Sequence, residues 1–249
     1  MKKNYFYLLG IALVTMLSVI FVSCGKDKEE DKDDMIDTSP IRLAVGSEKI
    51  ITGADTIVSS NRFVAYGENN TVKAYHVGET SLLVNGKKTV SISVYSTNYL
   101  YDNPVCEWGC SMDYVKSHQK QGTYNSKSDD KILLYENAGG ASGLAYSFEN
   151  GALVAVLALV STNHTSTLGT YLAERYLMLP IYQGENTYFA GIDAIDTDNA
   201  KTFVYMDVYN TKFWSVLYMK YDKKSTRSSI DDDMVRKELI EQVASFIDN

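Results

Sequence analysis

The chain has little cysteine, proline, histidine or tryptophan. Its 3 Cys in 249 residues exclude a disulfide-dense miniprotein, and its 3 Pro exclude a proline-rich stalk. The 3 His stand in separate segments at His76, His118 and His164, and none has a His or Cys three or four residues on. No H-E-x-x-H, G-x-S-x-G, G-x-G-x-x-G or G-x-x-x-x-G-K pattern occurs, so the common zinc, hydrolase and nucleotide sites lack support. A basic excess is missing too. The 24 Lys+Arg against 31 Asp+Glu give a net charge of -7, which argues against nucleic acid. Hydrophobic residues at 45% and charged residues at 22% exclude wholesale disorder, and the length allows one or two domains. What is plentiful is tyrosine: 19, against 8 Phe and 2 Trp.

The N-terminus reads as an address. Met1-Lys2-Lys3 is basic, Tyr5 to Val22 is an uncharged run of 18 residues, and Ser23-Cys24-Gly25 follows. That order is a signal peptide's, although 18 residues also just suffice for a membrane helix. Cys24, directly after a small residue, makes the segment resemble a bacterial lipoprotein signal, with Phe21 where Leu is usual. The resemblance implies cleavage after residue 23 and lipidation of Cys24. Several acyl chains anchor stably at about 0.8 kcal/mol per buried methylene. Losing two lysines with residues 1–23 leaves 22 basic against 31 acidic groups, a mature charge of -9.

Residues 26–37 hold seven acids and three lysines, so residues 24–38 are expected to form a solvated acidic tether. At about 3.3–3.6 Å per residue its reach is at most roughly 50 Å. Lys28-Glu29-Glu30 resembles the export signal of Bacteroidetes lipoproteins displayed on the cell surface. The periplasmic leaflet of the outer membrane is the alternative.

Residues 39–97 alternate in short apolar runs broken by turn signals. Val90, Ile92 and Val94 face one way, Ser91 and Ser93 the other, and Asn85-Gly86 is a strong hairpin signal. Seven short strands suggest a small all-β sandwich. Val45-Gly46, Ser59-Ser60-Asn61, Val64-Ala65, Val72-Lys73-Ala74, Val77-Gly78-Glu79-Thr80 and the closing Val90-x-Ile92-x-Val94 are similar to a bacterial immunoglobulin-like domain, group 2. Asn61-Arg62-Phe63 stands where the family usually has Trp. The resemblance implies a spacer or adhesion module and transfers no catalytic residue.

Residues 98–249 are expected to be an α+β domain. A helix capped by Ser111 precedes strands at 131–136, 144–149 and 152–160, with Asn150-Gly151 as a turn. A second helix at 165–177, with Leu168, Leu172 and Tyr176 on one face, precedes strands at 187–192, 201–209 and 212–221. The echo suggests an αβββ duplication. A final helix is expected over 231–247, capped by Ser229 and Asp231 to Asp233, with Val235, Leu239, Val243 and Phe246 as its buried stripe. Trp108-Gly109-Cys110-Ser111, Leu134-Tyr135, Tyr146-x-Phe148 and Asn150-Gly151-x-Leu153-Val154 are similar to the modules of small outer-membrane assembly lipoproteins of the SmpA/OmlA type. They are also similar to the tandem modules of β-lactamase inhibitor protein. Either resemblance implies a binding or scaffold role.

Few residues offer chemistry. With Cys24 lipidated, Cys106 and Cys110 remain. A disulfide and free thiols both stay open, and a zinc site is poorly supported. Gly139 to Gly143 joins two strands and reads as a hairpin more readily than as a phosphate loop. Asp193, Asp196 and Asp198 lack the calcium-loop spacing and read as a solvated turn. A carboxylate pair for a glycan hydrolase cannot be placed by sequence. Tyr99, Tyr101 and Trp108 are the candidate binding aromatics, unless they seal the domain junction.

The expectation is a non-catalytic, lipid-anchored binding or adhesion protein at the outer membrane, displayed on the cell surface. Its partners would be the membrane and a protein or glycan, with no cofactor, metal or nucleic acid. The alternatives are a scaffold or inhibitor-like lipoprotein that binds an envelope protein and, less favoured, a glycan hydrolase.

Overall fold

The computed structural model describes residues 35–183, 186–222, 237, 239–241 and 243. The signal peptide, Cys24 and most of the expected tether lie outside them, as do Ser229, Asp231 to Asp233, Val235 and Phe246. Strands in open sheets dominate the described residues.

The N-terminal part has seven strands: β1 (Ile41–Ala44), β2 (Glu48–Ile50), β3 (Ile57–Ser59), β4 (Ala65–Glu68), β5 (Thr71–Ala74), β6 (Gly78–Val84) and β7 (Lys88–Tyr95). They form a four-stranded sheet ordered β1-β7-β6-β3 and a three-stranded sheet ordered β2-β5-β4. Only β1 and β7 run parallel, through Ile41↔Ile92 and Leu43↔Val94. Alternation decides the packing: Leu82, Val84, Val90, Ile92 and Val94 are buried with Val72 and Ala74 of the other sheet in one core. The β6–β7 turn places Asn85 and Gly86 at φ of 52° and 68°, the left-handed conformation that the Asn-Gly pair supplies at little cost. The core begins earlier than the composition suggested. Ile36, within the expected tether, is 6% exposed and joins the core.

The C-terminal part is built on one antiparallel sheet. After helix α1 (Met112–His118) come β8 (Thr123–Tyr124), β9 (Ile132–Ala138), β10 (Ala141–Glu149) and β11 (Ala152–Ser161). After helix α2 (Thr165–Ala173) come β12 (Leu177–Gln183), β13 (Asn186–Ile192), β14 (Thr202–Val208) and β15 (Phe213–Lys220). The order is β12-β13-β14-β15-β11-β10-β9-β8, so the last strand of each unit meets the other at the centre. Leu157↔Leu217 lies in the middle of that pairing. Each of the two helices is thus followed by four strands, not the expected three.

The two unanticipated strands have different causes. β8 is only two residues long, too short to show a period. β12 overlaps the expected helix, which ends at Ala173 instead of continuing to 177. Tyr176 reaches the core from a turn after the helix. Pro180, which cannot donate to a ladder, is tolerated because β12 is an edge strand.

The sheet buries both faces at its centre, so β11 reads as a continuous apolar run. Leu133, Tyr135, Tyr146, Val156, Val216 and Tyr218 pack on one face beneath α1, α2 and the connector residues Leu100 and Tyr101. Ile132, Leu134, Leu157, Leu159 and Leu217 pack on the other against Leu239, Ile240 and Val243. These three are helical, as expected for the C-terminal segment.

Candidate functional site

The end of α2 carries two charged residues into the junction between the sandwich and the large sheet. Glu174 is 7% exposed. Its carboxylate accepts from the Ser96 and Thr97 hydroxyls and, at 2.7 Å, from Asn98 Nδ2. Its backbone carbonyl accepts from Val77 N–H at 2.8 Å. Burial pushes the carboxyl upward, but the hydrogen bonds from Ser96, Asn98 and Thr97 outweigh it and hold it below the usual carboxylate value. Ser96 to Asn98 directly follow β7, so this network ties the two parts of the chain together.

Arg175 beside it is fixed from several directions. Nε donates to Asn103 Oδ1 at 2.7 Å, and Nη1 donates to the Tyr171 carbonyl at 3.0 Å and to Ser96 Oγ at 3.4 Å. The guanidinium lies over the Tyr171 ring, 3.9 Å from its centroid, and the side chain is only 9% exposed. Nη2 has no partner among the described residues. It is therefore accessible, since no buried side-chain nitrogen or oxygen lacks a partner there.

Arg175 lines a cleft of about 300 Å³ between the two parts. Asn61 and Asn103 line it as well, each with Oδ1 already engaged. Asn61 Oδ1 accepts from Phe63 N–H, and Asn103 Oδ1 accepts from Arg175 and from the Tyr171 hydroxyl. Both Nδ2 groups are left as donors. Glu79 and Asp193 also line the cleft, the latter with Oδ1 accepting from Lys201 and Thr202 N–H. Phe63, Val64 and Val77 give an apolar wall. Gly78 backs it at φ 151°, where a Cβ would come 2.9 Å from Val64 Cγ2.

His76 is stacked on Phe63 at 3.8 Å, with Nδ1 2.7 Å from the Phe63 carbonyl. Burial lowers its pKa, and the carbonyl contact only partly restores it. His118 stacks on Tyr114, and His164 precedes α2. The three histidines remain apart.

The residues singled out by sequence do not converge. Tyr101 is 0% exposed and its hydroxyl meets that of Tyr218 at 2.7 Å, so it is a core residue and not a binding aromatic. Trp108 is half-buried, its indole N–H directed to Thr202 Oγ1 at 3.3 Å. Only Tyr99 is largely exposed, and its hydroxyl is engaged by Asp102 and Gln121. Cys106 and Cys110 are free, half-buried thiols. Burial pushes both pKa values up, so native iodoacetamide labelling at pH 8 is expected to run at least tenfold slower than after denaturation, which should expose two reactive thiols. Equal rates in both states would overturn this reading. Asp193 and Asp196 turn their carboxylates onto their own loop, and Gly139-Gly140 forms a tight hairpin against Leu100. Among the described residues no group of three His, Cys, Asp or Glu could hold a metal.

A second surface is apolar. Leu177, Leu179 and Ile181 alternate along edge strand β12 at 38%, 59% and 43% exposure. The stacked Tyr188 and Tyr205 lie on the same face, through Ile181↔Tyr188 and Ala190↔Tyr205. The C-terminal helix covers the other half of that face.

Sequence reasoning missed Glu174, Arg175, Asn61 and Asn103. One signal was present: Arg175 ends an apolar-faced helix with an aromatic, not an acid, one turn before it. No family model, curated protein or solved structure matches the chain.

Proposed function

We propose that the chain is a lipid-anchored cell-envelope binding protein, non-catalytic, which holds its ligand in the junction cleft. The observation that carries this reading is Arg175, held on three sides and stacked on Tyr171, with one amino group left open beside two unpaired amide donors. An arginine fixed in this way presents its free amino group in one orientation, so a ligand in the cleft meets a donor whose ordering cost is already met by the fold. In this reading the sandwich is the immunoglobulin-like spacer, residues 98–249 are the α+β recognition domain, and Cys24 is the lipid attachment.

A thermal-shift screen of the full chain against small polar compounds and envelope glycans tests the cleft. A stabilising ligand whose effect disappears in Asn103→Asp is expected; a screen with no Asn103-dependent hit overturns the cleft. For the address, Cys24→Ser should abolish incorporation of labelled palmitate. Protease added to intact cells should remove the chain, and full protection would refute surface display.

The apolar face of β12 favours a second reading, a scaffold or inhibitor-like lipoprotein that binds an envelope protein. Leu179→Asp should then eliminate a crosslinked envelope partner while shifting stability by only about 0.5 kcal/mol, because the side chain is exposed. An unchanged crosslink pattern would remove that reading.

A further inference from the structure

We infer that the ligand of the junction cleft is a neutral carbohydrate, an inference that rests on the cleft being the binding site. The cleft offers donors and acceptors together. Arg175 Nη2, Asn61 Nδ2 and Asn103 Nδ2 are donors without partners among the described residues, while Glu79 and Asp193 Oδ2 are acceptors. Hydroxyl groups answer both, since each can donate one hydrogen bond and accept others.

Charge argues against an anion. One guanidinium shares the cleft with two acidic residues, Glu79 and Asp193, and Glu174 lies 3.9 Å from Nη1. Recognition of a carboxylate or phosphate by arginine uses two parallel N–H groups. The two forks of the guanidinium pair Nη2 with Nε or with Nη1, and Nε and Nη1 are committed to Asn103, Ser96 and the Tyr171 carbonyl, so neither fork is free. A purely cationic ligand would meet the carboxylates but would also meet the charge of Arg175, which repels it, and would accept nothing from the three donors. The Phe63, Val64 and Val77 wall suits the C–H face of a sugar ring. The volume of about 300 Å³ lies at the lower limit of ligand pockets, which suits a short saccharide end and not a long chain.

The full-length protein should be applied to an array of neutral, sialylated and phosphorylated glycans, beside Asn103→Asp, Asn61→Asp and Glu79→Gln. Each of the two Asn variants keeps the engaged Oδ1 and removes the open donor. Glu79→Gln changes one exposed group and provides the variant least able to disturb folding. Binding to neutral glycans is expected, weakened roughly tenfold in each variant. Binding confined to acidic glycans, neutral binding unchanged in all three variants, or no glycan bound would each overturn the inference. If no glycan binds while the thermal-shift screen returns an Asn103-dependent compound of another class, the carbohydrate falls and the cleft stands. If neither assay gives an Asn103-dependent ligand, both fall.

Discussion

Tyr101→Ala is expected to lower the unfolding free energy by about 3–5 kcal/mol, as aromatic-to-alanine changes in packed cores do. Tyr101 is fully buried and its ring lies 4.5 Å from that of Tyr171. Truncation would open a void between the connector and the sheet and would strip the Tyr218 hydroxyl of its partner. Tyr101→Phe isolates the second effect: it leaves a buried hydroxyl unpaired and should cost about 1–3 kcal/mol. Adding Tyr218→Phe removes the orphan, so the double variant should be more stable than the sum of the singles implies. Urea unfolding of the parent chain, the two single Phe variants and the double variant measures this cycle, and Tyr101→Ala is unfolded beside them. Strict additivity, or a Tyr101→Ala loss below 1 kcal/mol, would show that the connector does not pack as described.

That expectation reverses the reading of Tyr101 as a binding aromatic, and the reason is general to this chain. Tyrosine is enriched in residues 98–249 because the large sheet uses it as core. Tyr146, Tyr171, Tyr176 and Tyr218 are all buried, and their hydroxyls are pushed to higher pKa chiefly by that burial. Composition counts rings and not the face they point to, so it could not separate Tyr99 from Tyr101. Features governed by local chemistry were legible: the strands flanking Asn85-Gly86 and Asn150-Gly151, and the Ser111 cap, whose side chain accepts from Tyr114 N–H. The junction was not legible. Glu174 meets Ser96 to Asn98 across more than seventy residues, and no window along the chain contains both. The cleft inherits this limit, since Asn61, Asn103 and Arg175 come from three separate segments.

Glu174→Ala should uncouple the two parts of the chain. Glu174 and Arg175 are 8% and 9% exposed at their side chains, and removing the carboxylate takes from Arg175 its nearest counter-charge and leaves polar groups at the junction without an acceptor, at about 1–3 kcal/mol. Ser96, Thr97 and Asn98 lose their common acceptor at the same time. Calorimetry at pH 7.5 should show one transition for the parent chain and two for the variant. A single transition at unchanged temperature in the variant would mean that the network does not hold the junction. Acid should reproduce part of the effect in the parent chain, in two stages set by the directions of the two shifts. His76 has a folded pKa below its ordinary 6.5, so the unfolded chain binds its proton first; the stability due to neutral His76 is full above pH 6.5 and is lost as pH falls through the lowered value. Glu174 also has a folded pKa below its ordinary 4.5, so its contribution is full above that pH and is lost as pH falls through the folded value. Glu174→Ala should therefore flatten the pH dependence below 4.5 and keep the limb that begins near 6.5. His76→Phe should do the reverse, because a phenyl ring can retain the stack on Phe63 and cannot take up a proton.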